Sequence, residues 1–522
     1  MERKWWTLIA VCVAIFMLLL DITVVNVALP AIQHALHSSF SDLQWVVNAY
    51  ALTLAAFLLT SGAVSDLIGR RRVFVAGLFV FTISSAVCGL STTPLMLNLA
   101  RAVQGTGGAM MFSTALALIA EAFHGKERGT AFGVFGAVTG AAVAVGPVLG
   151  GLITSGIGWK WIFFVNIPIG IVAVFITLTK VQDSRDPNAT GVDWLGLLTF
   201  SGSLFLLVYA LVQGNGLGWG STEIVALLIA AAVLLVAFVT VEHLQSRPML
   251  DLTLFRRPAF AGANIVAFCL SGSFFAMFLY LTLYIQDVLG YSPLQAGLRF
   301  LPTTLLSFAV APIAGRLSVR VPVRLLLGSG LVLIGVGLLA MTTLDAASGW
   351  TVLIPGFILA GAGVGLVNPP LASTAIGVVP NERSGMASGI NSTFRQVGIA
   401  TGIAGLGAVF QHSVTHGTTA ALRSSGQAPA VLTAAHGRLG TLLESGEVTR
   451  IAHSLAPAAR TALDHSYRVG FTGAFTTIAI IAAVLALVGA FLAFVLVRSR
   501  DFVSAGEVPA AQGPEPVAAA AG

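Results

Sequence analysis

Charged side chains are scarce in this 522-residue chain. Asp, Glu, Lys and Arg together make up 9% of it, whereas soluble domains carry about 25%. Hydrophobic residues account for 56%, and the mean hydropathy is +0.92. So apolar a chain remains dispersed only when most of its surface faces lipid. The composition therefore excludes an ordinary soluble enzyme and indicates an integral membrane protein.

Residues and motifs for metal, nucleotide or hydrolytic chemistry are also missing. The three cysteines, Cys12, Cys88 and Cys269, lie inside apolar stretches, and no CxxC motif or His/Cys cluster occurs. GxxxxGK[ST], HExxH and GxSxG are absent as well. We therefore expect no enzymatic activity, no metal and no cofactor. The basic residues are scattered in short loops, which argues against nucleic acid as a partner.

Long apolar runs are what the sequence does contain. A helix crosses the hydrocarbon core with about 20 apolar residues. The first run has no small-residue cleavage site, so we interpret it as a retained helix. The sequence predicts an all-α membrane protein with fourteen spans, near residues 7–30, 43–64, 73–91, 95–120, 130–155, 161–179, 192–212, 222–241, 258–285, 294–315, 324–344, 351–378, 386–410 and 470–497.

Lys and Arg placement predicts the orientation. Most of the 27 basic residues fall in the segments that share the side of the N-terminus, and such loops are normally cytoplasmic. An even number of spans returns the C-terminus to the same side. Both termini are therefore expected in the cytoplasm, and the net charge of +6 is expected to face anionic lipid headgroups.

A weak internal duplication suggests the domain organisation. GAVSDLIGRRR follows the second span and GRLSVRVPVR follows the tenth, with Val319 in place of Asp66. Parallel half-repeats around a midplane site are typical of transporters. We predict a six-helix bundle over 1–180, two inserted helices with linkers over 181–257, a second six-helix bundle over 258–497 and a disordered cytoplasmic tail over 498–522. Within the second bundle, 412–468 is an outer loop that is expected to be partly helical.

Asp21 lies deep in the first span, where a carboxylate is costly and therefore a functional candidate. Arg101, in the fourth span, is its expected partner. At 1.5 Å per residue, Asp21 lies roughly 13 Å and Arg101 roughly 10 Å below the same outer face. Burial disfavours the charged carboxylate and the guanidinium favours it, so Asp21 can change protonation as a proton-coupled carrier requires. A structural ion pair is the alternative.

Other polar and aromatic residues are candidates for a substrate cavity. Asn26 and Asn98 lie near the outer end of the same region, where an ordinary interhelical hydrogen bond is an equal alternative. Phe and Met are plentiful in the ninth span, where a soft aromatic cavity could accept lipophilic ligands, although lipid contact is the more common role of any single residue. The cavity candidates are Asn26, Asn98, Gln104, Phe274, Phe275 and Tyr280.

The loop after the second span predicts a conformational gate. Asp66 is expected to cap a neighbouring helix terminus and Arg70 to pair with Glu121. We expect these contacts only when the inner side is shut. A plain positive-inside loop would explain the arginines but not Asp66.

Glycine and proline punctuate two later spans. In GAAVAVGPVLGG (140–151), Gly146 and Pro147 are expected to interrupt the helix, and Gly150 and Gly151 allow close backbone approach. A packing face with an incidental kink is the alternative. Similar punctuation recurs at residues 368–370. Arg395 lies in the thirteenth span without an acid in its own helix, and a carbonyl, a water-filled cavity and a lipid headgroup remain open as its partner.

Six motifs in order resemble those of the major facilitator superfamily, in its 14-helix drug:proton antiporter branch. The resemblance covers residues 5–497. The motifs are LDITVVNVALP (20–30), GAVSDLIGRRR (62–72), LARAVQGTGGA (99–109), GAAVAVGPVLGG (140–151), WKWIFFVNIPIG (159–170) and PMLDLTLFRRPAF (248–260).

The resemblance implies rocker-switch alternating access, with a proton taken up at Asp21 as a lipophilic drug leaves, and an inner-gate charge relay at Asp66 and Arg70. Some relatives carry a second membrane acid in helix 10, which is associated with divalent cations. Here helix 10 has none, so neutral or singly charged amphiphiles are expected. The implied partners are a lipophilic substrate, protons and membrane lipids, and the implied location is a bacterial inner membrane, with a monomer expected. Alternatives are an exporter of one endogenous metabolite and a non-transporting receptor that binds partners through 412–468.

Overall fold

The computed structural model describes residues 2–123, 125–185, 191–245, 248–318, 320–379, 384–435, 455–498 and 501–502. Within these ranges all regular structure is helical. Val319, most of the C-terminal tail and the middle of the 412–468 loop lie outside the described residues, so the expectations for them are not addressed by the structure.

The membrane-crossing helices are numbered here in chain order. They are α1 (Arg3–Leu36), α2 (Phe40–Ile68), α3 (Arg70–Leu90), α4 (Pro94–Ala122), α5 (Gly125–Gly156), α6 (Trp161–Phe164 continued by Asn166–Lys180), α7 (Trp194–Leu217), α8 (Thr222–Leu244), α9 (Pro258–Val288), α10 (Pro293–Arg299 continued by Leu301–Leu317), α11 (Val323–Ala340), α12 (Ile354–Gly377), α13 (Ser384–Ser424) and α14 (Pro457–Leu496).

By length and composition, thirteen of the described helices are able to cross a membrane, or fourteen when the bent pair in α10 is counted as one span. The all-helical multi-span fold class predicted from the sequence is thus confirmed. The α8 helix is strongly apolar and long enough to span a membrane, and most of its apolar surface is uncovered by protein. Such a surface requires lipid.

Side-chain caps explain where several helices begin. The Ser39 hydroxyl accepts a hydrogen bond from the Asp42 amide, and the Asp42 carboxylate accepts one from the Ser39 amide, which completes a capping box before α2. The Thr93 hydroxyl accepts from the Met96 amide and caps α4, with Pro94 at the first helical position. Asp193 caps α7. These caps satisfy amides that have no partner inside their own helix.

The helices pack as two bundles and an inserted pair. In the N-terminal bundle, α2 and α3 pack on α4, and α1 packs on α5 and α6. In the C-terminal bundle, α12 packs on α10 and α11, and α14 packs on α11 and α13. The helices α7 and α8 pack on each other, and α7 also contacts α2 and α13. The bundle bounds given above remain a prediction.

The two bundles meet through α2 with α13 and through α5 with α10. The end that the charge bias predicts to face outside is called the outer end here, and polar contacts join the bundles near it. The Gln286 side chain donates to the Val27 carbonyl at 2.7 Å, and that of Gln44 to the Ile403 carbonyl at 2.9 Å. The structure is therefore closed at its outer end.

Two predicted helix breaks are wrong. Pro147 lies inside a continuous α5, and Pro369 with Pro370 inside a continuous α12. Transmembrane helices tolerate proline because neighbouring helices and side chains satisfy the freed carbonyl. The irregular backbone occurs elsewhere. α10 bends by 40° next to Phe300, and α9 contains π-helical turns at Ser271–Phe275 and Tyr284–Val288.

The outer loop is helical where it is described, as the sequence suggests. α13 continues to Ser424, a short helix covers Ala428–Ala434, and α14 begins at Pro457. At 1.5 Å per residue, a helix of 40 residues is about 60 Å long, roughly twice the hydrocarbon thickness. The two long helices, α13 and α14, therefore extend beyond the membrane.

Candidate functional site

Asp21 and Arg101 form a buried ion pair between α1 and α4. The Asp21 residue is 2% exposed and Arg101 is 1% exposed. Arg101 Nη1 donates to Asp21 Oδ2, and the two atoms lie 2.5 Å apart. The depths estimated from the sequence predict this pairing, and the structure contains it.

Polar neighbours complete the coordination of the Asp21 carboxylate. Gln104 Nε2 donates to Asp21 Oδ1 at 3.0 Å, and Asn166 Nδ2 donates to the same oxygen at 3.2 Å. Both amides also donate to Ser85 Oγ, which itself donates to the Phe163 carbonyl. Gln104, expected to line a substrate cavity, therefore belongs to the Asp21 cluster. We define this cluster as Asp21, Arg101, Gln104, Asn166 and Ser85.

Sequence reasoning missed Asn166 and Ser85. Asn166 is a single amide within the apolar stretch FFVNIPIG, and a buried amide in such a stretch is a signal that could have identified it. Ser85 carries no comparable signal, because small hydroxyl residues are common in membrane helices. Both side chains are at most 1% exposed.

The Arg101 guanidinium is enclosed on its other sides too. Its Nε donates to the Val46 carbonyl at 3.1 Å, and Nη1 also donates to Gln104 Oε1 at 2.8 Å. Its central carbon lies 4.3 Å from the centre of the Tyr50 ring, within cation–π range. α2 thus holds the cation through Val46 and Tyr50, so the charge of Asp21 is balanced by a group that contacts three helices.

The two predicted asparagines do not join the Asp21 cluster. Asn26 Nδ2 donates to the Ile22 carbonyl of its own helix at 3.2 Å, so an interhelical bond is not what satisfies it. Asn98 Oδ1 is buried without a hydrogen-bond partner among the described residues.

Two of the three aromatic candidates in α9 pack inside the protein, and the third, Phe275, is partly exposed. Phe274 is 2% and Tyr280 0% exposed, so lipid contact, the more common role, is wrong for both. Phe274 makes edge contacts with Phe275 and Phe278. The Tyr280 hydroxyl donates to the Ile403 carbonyl at 2.8 Å. This carbonyl also accepts from Gln44 of α2, so Tyr280 lies directly at the contact between the bundles.

The predicted gate residues contact one another within the N-terminal bundle. These contacts therefore do not require the two bundles to meet at the inner end, contrary to the expectation from the sequence. Arg70 Nη2 lies 3.0 Å from Asp66 Oδ1, and Arg70 Nη1 lies 3.7 Å from Glu121 Oε2. The helix cap assigned to Asp66 is instead made by Asp183, whose Oδ1 accepts from the Arg71 amide in the first turn of α3. Asp183 also pairs with Arg72 at 3.1 Å. It was missed because it lies far along the chain, in the linker after α6.

The glycines of α5 are contact points for two partners. A Cβ on Gly146 would lie 1.8 Å from Thr23 Oγ1, and one on Gly150 would lie 2.9 Å from the Val24 Cα, both in α1. A Cβ on Gly151 would lie 2.4 Å from the Pro293 carbonyl oxygen of α10. The Pro147 carbonyl lies against Gly297 of α10. This segment therefore holds α1 and α10 at backbone distance.

Arg395 is half-buried on α13, and no described residue forms an ion pair with it. Its neighbours on the same helix are engaged: Phe394 contacts the ring of Phe255, and Asn391 donates to the Ala263 carbonyl. Its role stays unassigned.

Comparison with known proteins connects this arrangement to a transporter family. The family model described as Major Facilitator Superfamily matches residues 11–403. The chain is 39% identical over 404 residues to "Multidrug resistance protein Stp" of Mycobacterium tuberculosis, covering 77% of this chain and 75% of that protein. It is 36% identical to "Puromycin resistance protein pur8" of Streptomyces alboniger, covering 84% and 90%. It is 34% identical to "Tetracenomycin C resistance and export protein" of Streptomyces glaucescens, covering 79% and 77%.

A solved structure shares the fold. It is the crystal structure of a bacterial homolog of the human lysosomal transporter Spinster, in an inward-facing and unoccupied conformation. The TM-score is 0.60 at 17% sequence identity, over 96% of this chain and 99% of that one. At this identity the likeness concerns the fold alone.

Proposed function

Because this chain belongs to the Major Facilitator Superfamily, we propose that it is a proton-coupled antiporter, which exports hydrophobic or cationic drugs, antibiotics or biocides by alternating access. It is a multi-pass membrane transporter and not an enzyme. The observation that carries the proposal is the buried Asp21–Arg101 pair. Ionisable residues inside a membrane protein are expensive to bury and mark ion or proton pathways.

The Asp21 cluster provides a reason for proton coupling. As a carboxylate, Asp21 accepts hydrogen bonds from Arg101, Gln104 and Asn166. A proton on Asp21 removes the charge that balances the buried guanidinium. That leaves Arg101 with two neutral acceptors, the Val46 carbonyl and Gln104 Oε1. The protonated and ionised forms of Asp21 therefore favour different arrangements of α1 and α4.

α1 links the cluster to the contact between the bundles. Thr23, two residues after Asp21, lies against Gly146 of α5. The Val27 carbonyl, roughly 9 Å along the helix from Asp21, accepts the hydrogen bond from Gln286 of α9. A shift of α1 on protonation therefore reaches both α5 and α9. This connection supports alternating access driven by Asp21.

The proton gradient is sufficient to drive export. One pH unit supplies about 1.4 kcal/mol per proton, and one charge crossing 100 mV supplies about 2.3 kcal/mol. With one net charge entering per cycle, the sum supports a substrate gradient of several hundred-fold. Protons are the coupling ion, no other cofactor is needed, and the protein acts as a monomer among membrane lipids of the bacterial inner membrane.

The names of relatives support either a broad or a narrow substrate range. One relative is named for multidrug resistance, and others for puromycin or tetracenomycin C. The second candidate function is therefore a dedicated exporter of one compound. In either case α10 contains no acidic residue, which favours neutral or singly charged amphiphiles over dications.

The test is transport by purified protein in liposomes under an imposed inward proton gradient, with an ethidium-like fluorescent cation as substrate. Asp21→Asn is compared with wild type and with Thr7→Ala, a control on the same helix whose hydroxyl donates to the Arg3 carbonyl of that helix. We expect gradient-driven dye movement in wild type and in the control, and none in Asp21→Asn, which still binds the dye. Equal flux in all three proteins would move the proton site elsewhere. Binding without energised flux in wild type would favour a receptor.

A further inference from the structure

Two carboxylates outside the Asp21 cluster are buried where the inserted helices meet the inner side. Asp193 caps the start of α7, and Glu242 lies in the last turn of α8. Their exposures are 7% and 3%. Both acids come from span ends, where acidic residues are usually solvated, so their burial requires an explanation.

The two side chains face each other across Gly196. The position that a Cβ on Gly196 would take lies 2.4 Å from Asp193 Oδ2 and 2.5 Å from Glu242 Oε1. Glu242 Oε1 is fully buried and accepts no hydrogen bond from a described residue. In the described part of the chain, no basic side chain forms an ion pair with either acid.

Two adjacent buried carboxylates cannot both be ionised without a cation, because their mutual repulsion adds to the cost of desolvation. A shared proton removes this repulsion and gives the unpartnered Glu242 oxygen a hydrogen bond to Asp193. We propose that Asp193 and Glu242 bind one proton between them, and that this proton fixes the segment that leads from α8 into α9. The site is separate from Asp21 and does not depend on the proposed transport cycle.

Residues 248–256, here called the strap, are held by this pair. The Leu250 amide donates to Glu242 Oε2 at 3.0 Å, and the Met249 amide donates to Asp193 Oδ2 at 3.4 Å. Both side chains are buried, at 7% and 8% exposure. Each carboxylate thus uses one oxygen for the strap, which leaves Glu242 Oε1 for the other carboxylate.

The strap contacts both bundles. Met249 Sδ lies 3.9 Å from Thr60 Oγ1 of α2, and the Phe255 ring lies 5.9 Å from that of Phe394 in α13. Loss of the shared proton leaves two carboxylates opposed over Gly196, and we expect the strap to detach. Few titratable groups lie near the pair. Among the described residues, Asp193 is the titratable group that faces Glu242. His243 of α8 is exposed, and Asp251 of the strap accepts hydrogen bonds from Thr253.

Infrared spectroscopy tests the shared proton directly. A protonated carboxyl group has its own C=O band, distinct from the carboxylate bands. The difference spectrum between wild type and Glu242→Gln at neutral pH is expected to contain this protonated band, and the same band is expected for Asp21→Asn minus Asp21→Asn/Glu242→Gln. A difference spectrum that contains carboxylate bands alone would overturn the proposal. Dye transport is not needed for this result, so failure of the antiporter proposal would be recognised separately.

Hydrogen exchange of the Met249 and Leu250 amides tests the consequence. The exchange rate of each amide is divided by its intrinsic rate at the same pH. If release of one proton frees the strap, this ratio is expected to rise about tenfold per pH unit until the pair is fully ionised. In Glu242→Gln the glutamine amide donates to Asp193 permanently, so the rise disappears. If Glu242→Gln does not fold, Asp193→Asn is measured in its place. Asp183→Asn, on the same side of the membrane, is the matched control. The same pH dependence in Glu242→Gln and wild type would overturn the proposal.

Discussion

The carboxylate of Asp21 and the guanidinium of Arg101 lie 2.5 Å apart with at most 2% of either residue exposed. Each charge in this pair is buried at the cost of its hydration, and each compensates for the other. Removing one partner therefore differs from removing both, since a single deletion leaves an uncompensated buried charge.

Arg101→Ala is expected to destabilise the protein by about 3–5 kcal/mol, because it leaves Asp21 ionised and unpaired or forces it to take a proton. The double variant Asp21→Asn/Arg101→Ala is expected to recover part of this loss. Thermal unfolding in detergent measures both, with the exposed Arg316→Ala as a control that should stay within about 0.5 kcal/mol of wild type. A double variant less stable than Arg101→Ala would contradict the argument.

Asn166→Ala is expected to slow proton-driven transport. It removes one donor from the Asp21 carboxylate, and a hydrogen bond to a charged group contributes about 1.5–3 kcal/mol. The arrangement of α1 and α6 that this bond stabilises therefore falls in population by about tenfold or more. The measurement is the rate of gradient-driven dye movement in liposomes. Thr7→Ala is the control, because the Thr7 hydroxyl donates to its own helix, and it should leave the rate unchanged; an unchanged rate in Asn166→Ala would exclude this role.

The sequence carries enough information for the Asp21–Arg101 pair but not for its neighbours. A charge in an apolar run is conspicuous because burying it is costly, and helix rise then gives its depth. Asn166 and Ser85 are uncharged and cost far less to bury. Asn166 therefore carries only the weaker signal of an amide in an apolar stretch, and Ser85 carries none. The spans themselves are predictable because a run of about 20 apolar residues is conspicuous in the sequence.

Features that depend on chain segments folding back were not predictable in this way. Asp183 reaches the first turn of α3 from the linker after α6, and the strap covers Asp193 and Glu242. In the sequence all three acids resemble ordinary loop residues. Proline was a poor guide to helix breaks, since α5 continues through Pro147 whereas α10 bends near Phe300.

Gly69→Ala is expected to destabilise the protein for two separable reasons. Gly69 has φ of +118°, and a Cβ there would lie 2.7 Å from Asp183 Oδ1. Gly158 has φ of +104° with open space around it, so Gly158→Ala measures the backbone strain alone, about 1–3 kcal/mol. Thermal unfolding should show a larger loss for Gly69→Ala. Adding Asp183→Ala should reduce the difference in stability loss between the two glycine variants. If Gly69→Ala and Gly158→Ala lose equal stability while Asp183 is present, the Asp183 side chain moves away from the new Cβ at no energetic cost.

Gly151→Ala is expected to weaken closure at the outer end. Its Cβ would lie 2.4 Å from the Pro293 carbonyl oxygen, and because this is backbone of α10, α5 and α10 must separate. We expect a population shift of about tenfold for each 1.4 kcal/mol of strain that falls on the outer-closed state. The measurement is the labelling rate of Thr154→Cys, a position 8% exposed, by a membrane-impermeant maleimide added outside.

The background for this labelling is low, since Cys12, Cys88 and Cys269 are all buried. Gly156→Ala is the matched control, because it lies on the same helix and a Cβ there would meet no atom within 4 Å. Faster labelling in Gly151→Ala than in Gly156→Ala would mean that the backbone contact between α5 and α10 holds the outer side closed. Equal rates would mean that closure depends instead on the hydrogen bonds of Gln286 and Gln44, and Gln286→Ala should then accelerate labelling where Gly151→Ala does not.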